Sequence, residues 1–451
     1  MKKDSLIQGN IGKALLLFVL PLIAGSLIQQ LYTTVDAVIV GQFTGKSGLA
    51  AIDSVHTLFK FPINFMNGLA AGTTILISGY FGAKDTKKLQ ETVNAALRIA
   101  LLLGLVCTLA GIIGSAWLLE VMSVPDEIRN AALTYSRIYF AGLWAMILYN
   151  MNAGILRAFG DSKGPFYVLI LSCIVNVFGD LLLVGVLHTG VAGAAAATVF
   201  AQIVSAAATY RLLKKSVFLE EKPRLLGGRI SMLSIEKIIK TGFPLALQSM
   251  LFPIANTIVQ ASVNTMGTNS IAAWGICDKL DLLIWLIADA MGPALTTYTA
   301  QNIGAGKHDR VKKGVWIGTG LSVLAVAAIS LLLYFGAGTA GAWFINPQDG
   351  PELIPLIRRY MQMMAPFFVF YAVAEACSGA CCGMGETLFP MITTLLTICL
   401  FRVVCIFLIL PKFGTMECII WIYIASWILS GMAFVILYAV RSKRQEKQLR
   451  L

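Results

Sequence analysis

Long apolar stretches, each about the length of a bilayer-crossing helix, recur along the whole chain. A helix needs about 20 residues to cross the roughly 30 Å hydrocarbon core. In lipid every backbone N–H and C=O must be satisfied within the protein, so such stretches become helices or a closed barrel. They fall here at 12–40, 53–80, 93–119, 131–155, 165–187 and 191–213, then at 236–264, 271–300, 313–336, 357–380, 387–411 and 416–440. Runs of this length fit helices, not the about 9–11 residues of a barrel strand. The first, Ala14 to Leu22, continues past Pro21 to Val40 without a cleavage site and reads as a retained helix. Only 13% of the residues are charged, against about 25% in an ordinary soluble domain. The expected fold is therefore an all-α integral membrane protein with about twelve transmembrane helices.

The formal net charge of +12 invites a nucleic-acid reading, but its placement argues against one. Basic residues gather at Lys2, Lys3 and Lys13, at Lys84, Lys87 and Lys88, and at Arg157 and Lys163. They gather again at Arg211 to Arg229, at Lys307 to Lys313 and in the tail from Arg441 to Arg450. The alternate loops are poor in them and carry Asp126, Glu127, Asp349 and Glu352. Positive-inside asymmetry produces this alternation, which predicts a cell membrane protein with both termini in the cytoplasm. The nine cysteines form no CxxC pair, and His56, His188 and His308 show no HExxH spacing. Packed free thiols are expected, with no zinc, haem or other cofactor.

The two halves resemble each other. Pro21-Leu22 recurs 223 positions later as Pro244-Leu245, and Leu49-Ala50-Ala51-Ile52 recurs 222 later as Ile271-Ala272-Ala273-Trp274. Gly82-Ala83 recurs at 222 as Gly304-Ala305, and Gly160-Asp161-Ser162 with Pro165 recurs at 225 as Gly385-Glu386-Thr387 with Pro390. The pattern predicts an N-terminal six-helix lobe over 1–213, a cytoplasmic linker over 214–235, and a C-terminal lobe with its basic tail over 236–451. Halves with an even helix count insert in the same orientation, so a pseudo-twofold along the membrane normal is expected to relate the lobes.

Ionisable residues inside apolar spans are costly and mark functional sites. Asp36 lies deep in the first span, and Asp180 lies in the fifth, four residues after Asn176 and on the same helical face. Asp278, Asp281 and Asp289 lie in the eighth, Glu375 in the tenth and Arg402 in the eleventh. The alternative for each is a structural ion pair or a side chain that snorkels to the interface. Pro21, in the first span, frees a backbone carbonyl and permits a kink, either static or moving.

Pro21, Asp36 and Gly41, the stretch Gly154 to Ser162 with Pro165, the Asn176/Asp180 pair and Gln301-Asn302-Ile303-Gly304-Ala305-Gly306 together resemble the multidrug and toxic compound extrusion (MATE) transporters. The likeness runs from the first helix to the last. It implies two six-helix lobes working by alternating access, with efflux of organic, often cationic, compounds in exchange for H⁺ or Na⁺. It also implies a cation site at Asp36, Asn176, Asp180 and Thr198, where Na⁺ is one possible occupant, and a bend of the first helix at Pro21. Two carboxylates in a poorly hydrated pocket cannot both stay ionised without a proton or a metal cation. Either ligand would bias a bistable helix.

One part of the family carries C-lobe acids on its seventh and tenth helices. Here the seventh span holds no Asp or Glu, and the positions matching Asp36 and Asp180 are Ile258 or Val259 and Cys405. Glu375 matches Asn150. Coupling is therefore expected in the first half. Asp278, Asp281, Asp289 and Glu375 are expected to add negative potential to a substrate cavity. Met66, Met146, Phe140 and Tyr139 are as well explained by packing. The expected partners are small organic cations and the lipid bilayer, with no nucleic acid, acting on a monomer. The rival reading is a lipid or lipid-linked oligosaccharide flippase of the same superfamily. An intramembrane enzyme would need a nucleophile with its base or a metal cluster, and the sequence shows neither.

Overall fold

The computed structural model describes residues 6–226, 231–346 and 348–450. Lys2, Lys3 and Arg229, used above for orientation, lie outside them. The described residues form twelve helical spans and no strand. The first run, Ile11–Ala83, is broken at Gly45 (φ 70°, ψ −172°) into α1 (11–44) and α2 (46–83). Then come α3 (Thr86–Val121), α4 (Asp126–Ala158), α5 (Lys163–Asp180, continued by the wider turns of Leu181–Val186) and α6 (Gly190–Lys214). In the second half, α7 is Met232–Val263, and α8 is Thr268–Leu280 with Leu282–Gly304. The span α9 is His308–Gly341 with Ala342–Phe344, and α10 runs from Gly350 to Gly383 through a tighter turn at Ala365–Phe367. The span α11 runs from Leu388 to Phe413, and α12 is Met416–Arg450. Eleven runs are long and apolar enough by themselves to cross a membrane. The opening turns of α2 carry Asp53, His56 and Lys60.

Several helices extend past the apolar stretches that announced them. Residues 41–52, read as a connector, are helical except at Gly45. The eighth span, expected to be continuous, breaks at Asp281, and the tenth breaks beside Pro366, whose ring removes an N–H from the ladder.

The sequence repeat is a repeat of backbone geometry. Gly160 (φ 84°) and Gly385 (φ 85°) end α4 and α10 with the same left-handed cap. Gly160 N donates to Arg157 O and Asp161 N to Leu156 O, while Gly385 N donates to Cys382 O and Glu386 N to Cys381 O. Lys84 and Gly306 cap α2 and α8 in the same way, and Gly45 and Gly267 hold the two tight turns before α2 and α8. Helix crossings repeat too. A Cβ on Gly154 would meet Thr74 Oγ1 and Ala70 O, and one on Gly379, 225 positions on, would meet the carbonyl of Gly292, the position matching Ala70. Small residues at such crossings let membrane helices approach backbone to backbone.

The outward faces are apolar and the inward ones mixed, as lipid requires. On α3, Leu102, Leu105, Leu109 and Ile113 are exposed, whereas Thr108, Gly111 and Ser115 are buried. The chain forms two compact units, one of Leu20–Ala246 and the other of Leu6–Val19 with Leu247–Leu451, Met1–Ser5 being outside the described residues. Thus α1 passes from one unit to the other beside Pro21, and α7 does so beside Pro244. In the second unit Arg310 donates to the carbonyls of Gly9 and Gln8, Lys307 to Ile7 O and Asn302 to Leu6 O. In the first, the connector after α6 lies against α2, α3 and α4. Phe218 packs on Phe81 and Phe159, and Gln90 and Asn94 accept from the backbone of Glu221 and Arg224.

Candidate functional site

The four residues Asp36, Asn176, Asp180 and Thr198 come together inside the first unit. Asn176 and Asp180 occupy one face of α5, and both are fully buried. Asn176 Nδ2 donates to Thr198 Oγ1 of α6 at 3.3 Å. From α1, Asp36 brings its carboxyl group beside that of Asp180. Directly after Asp180 the hydrogen-bond ladder of α5 widens into the Leu181–Val186 turns, a local irregularity often found at functional positions.

The group is rich in acceptors and poor in donors. Asp36 Oδ1, Asn176 Oδ1 and both Asp180 carboxylate oxygens are buried and accept no hydrogen bond from the described residues. Buried polar atoms normally have a partner. Two carboxylates, an amide and a hydroxyl form an all-oxygen set, which suits a proton or a hard cation. Na⁺ fits this donor chemistry.

Three tyrosines that the sequence did not single out as site residues enclose the pair. Tyr32, one turn before Asp36 on α1, reaches Thr198, and Tyr135 and Tyr139 on α4 lie near Asp36. Tyr139 also stacks on Phe59, with ring centroids 4.1 Å apart. The one legible signal was i, i+4 spacing: Tyr32 with Asp36, and Tyr135 with Tyr139.

The acids of the second half lie elsewhere. Asp278, Asp281 and Asp289 line a cavity of about 460 Å³ within the second unit. Trp285 Nε1 donates to Asp281 Oδ1 at 2.8 Å, and Tyr371 Oη donates to Asp289 Oδ1 at 2.7 Å. Glu375 is not on that wall; it stands one turn beyond Tyr371 on α10. Of the positions where the repeat would put counterparts of Asp36 and Asp180, Val259 and Cys405 are buried in the apolar core of that unit and Ile258, the alternative to Val259, is half-buried.

The family model described as MatE matches residues 21–182 and again 244–408, two stretches that begin at the paired prolines of the repeat. The chain belongs to the MatE family. MatE proteins are membrane transporters rather than enzymes, and the helical spans make this chain a multi-pass member. It is similar to YoeA of Bacillus subtilis, described as a probable multidrug resistance protein, with 27% identity over 399 residues, 86% of this chain and 85% of that one. YpnP of the same organism, described in the same words, is 27% identical over 403 residues, 89% of each chain. A solved structure described as MATE in the bent conformation shares the fold, with a TM-score of 0.91 at 20% identity over the full length of both chains.

Proposed function

We propose that this MatE-family protein exports organic, positively charged compounds across the cell membrane in exchange for H⁺ or Na⁺. Asp36, Asn176, Asp180 and Thr198 form the coupling site, and Pro21 is the hinge of the helix that carries Asp36. The observation that carries this reading is the adjacency of the Asp36 and Asp180 carboxyl groups, delivered by different helices and buried with no basic partner within ion-pair distance among the described residues. The names of YoeA and YpnP support drugs as the cargo.

Without its ion the pair holds more negative charge than a buried pocket tolerates. That field attracts a cationic cargo. A proton or Na⁺ entering the pair removes the field and lowers the affinity for cargo. By reciprocity, bound cargo lowers the affinity for the ion by the same factor. A protein that holds one or the other, and changes the side it opens to only when occupied, exchanges them. In this reading the connector 214–235 and both termini are cytoplasmic, and a monomer suffices.

Ethidium efflux from vesicles under separately imposed pH and Na⁺ gradients tests the proposal. One gradient is expected to drive efflux, and Asp36→Asn or Asp180→Asn to lower the driven rate by about tenfold or more, within the range of site–site coupling energies. Efflux indifferent to both gradients, or unchanged in Asp36→Asn, overturns it.

A further inference from the structure

The cavity of the second unit contains a cation that the exchange mechanism does not use. Arg402 on α11 is 2% exposed yet forms part of the cavity wall. Its Nε donates to Ser426 Oγ at 2.8 Å and its Nη1 to Asn256 Oδ1 at 3.2 Å. Its guanidinium lies over the ring of Tyr423, 4.0 Å from the centroid. All three partners are neutral, and among the described residues no carboxylate lies within ion-pair distance of it. A guanidinium has five N–H donors in a fork that matches a carboxylate. Holding it buried without a counter-charge is costly and marks a functional position.

The rest of the wall supplies a complementary half-site. Trp274, Trp285 and Trp427 provide flat apolar faces, and Asp278 and Asp289 are exposed to the cavity. Asp281 is buried and engaged by Trp285, whereas Asp289, which accepts from Tyr371 through Oδ1, stays exposed. A volume of about 460 Å³ lies within the range of drug-sized sites, about 300–1,000 Å³. Arg402, Asp278, Asp289 and the three indoles line the same cavity, so it offers both signs of charge together with aromatic surface.

We propose that the second-unit cavity binds amphoteric aromatic compounds, with the ligand carboxylate on Arg402, its ring against the indoles, and its basic nitrogen toward Asp278 and Asp289. This deepens the efflux reading and rests on it for the direction of transport. It makes a different demand on the ligand, since an organic cation without an acidic group would leave Arg402 unpaired.

Rhodamine 110 and rhodamine 123 are a suitable pair, because they share one cationic xanthene ring and differ in a free carboxylate against its methyl ester. Binding of each to the purified full-length protein in nanodiscs is read by dye polarisation and by quenching of tryptophan emission. The wild type is expected to bind rhodamine 110 about tenfold tighter or more, from a charge-assisted hydrogen bond. Arg402→Gln is expected to bring the ratio to about one. Asn256→Asp is expected to do the same by giving the guanidinium an internal carboxylate, which covers the case in which Arg402→Gln does not fold. Equal affinities in the wild type, or a preference that survives both substitutions, overturns the proposal. Rhodamine 123 efflux by the wild type separates the two readings. Efflux without a binding preference sinks only the anion site, and a preference without efflux of either dye sinks only the export reading.

Discussion

Asp36, Asn176 and Asp180 present buried oxygens without a hydrogen-bond partner among the described residues, while the hydroxyl of Thr198 accepts from the Asn176 amide. Such a cluster is under strain of charge and gains stability from any cation it takes up. By linkage, an ion at 100 times its Kd stabilises the fold by about 2.7 kcal/mol. The thermal midpoint of the wild type should therefore rise with whichever coupling ion the vesicles identify, and Asp180→Asn should remove that dependence. Calorimetry or tryptophan emission against ion concentration checks it; an unchanged ion dependence in Asp180→Asn contradicts it. These acids were legible in the sequence because a carboxylate among Leu, Val and Ile is conspicuous. The surrounding tyrosines were not. Tyr32, Tyr135 and Tyr139 have the composition of ordinary packing, and only the meeting of α1 with α4 turns them toward Asp36. Arg402 was visible as a charge, but the cavity around it is made by α7, α8, α10 and α12, and no local pattern reports that.

At the scale of the helices, the repeat rests on backbone. The left-handed caps at Gly160 and Gly385 and the crossings at Gly154 and Gly379 fall at the same step of the repeat. The close approach at Gly379 leaves no room for a side chain, so Gly379→Val should cost about 1–3 kcal/mol by overpacking. Gly320, where a Cβ would meet nothing within 4 Å, should tolerate the same change. Thermal stability of the two variants in detergent checks this, and an equal effect at both positions contradicts it. Helix number and order were readable from apolar length, and the caps from Gly-Asp and Gly-Glu following an apolar run. The breaks at Asp281 and Pro366 were harder to read, because a proline or an acid inside a span is compatible with a continuous helix when neighbours satisfy the freed carbonyls.

For the whole molecule, the repeated frame carries two unlike sites. The first unit brings together an acceptor-rich pair on α1, α5 and α6. The second replaces those positions with Ile258 or Val259 and Cys405 and places its charges on α8, α10 and α11. Each unit includes the opening segment of the other half's first helix, and the change of unit falls beside Pro21 in one case and Pro244 in the other. Sequence offsets showed the repeat, but this exchange of segments depends on long-range packing that offsets do not encode. Exchange of ion for cargo is the central claim, and it requires each ligand to displace the other. Tetraphenylphosphonium added to the purified protein should release a bound proton, seen with a pH indicator, or bound ²²Na⁺. Release should disappear in Asp36→Asn. Cargo binding with no ion released, or equal release from wild type and Asp36→Asn, would contradict it.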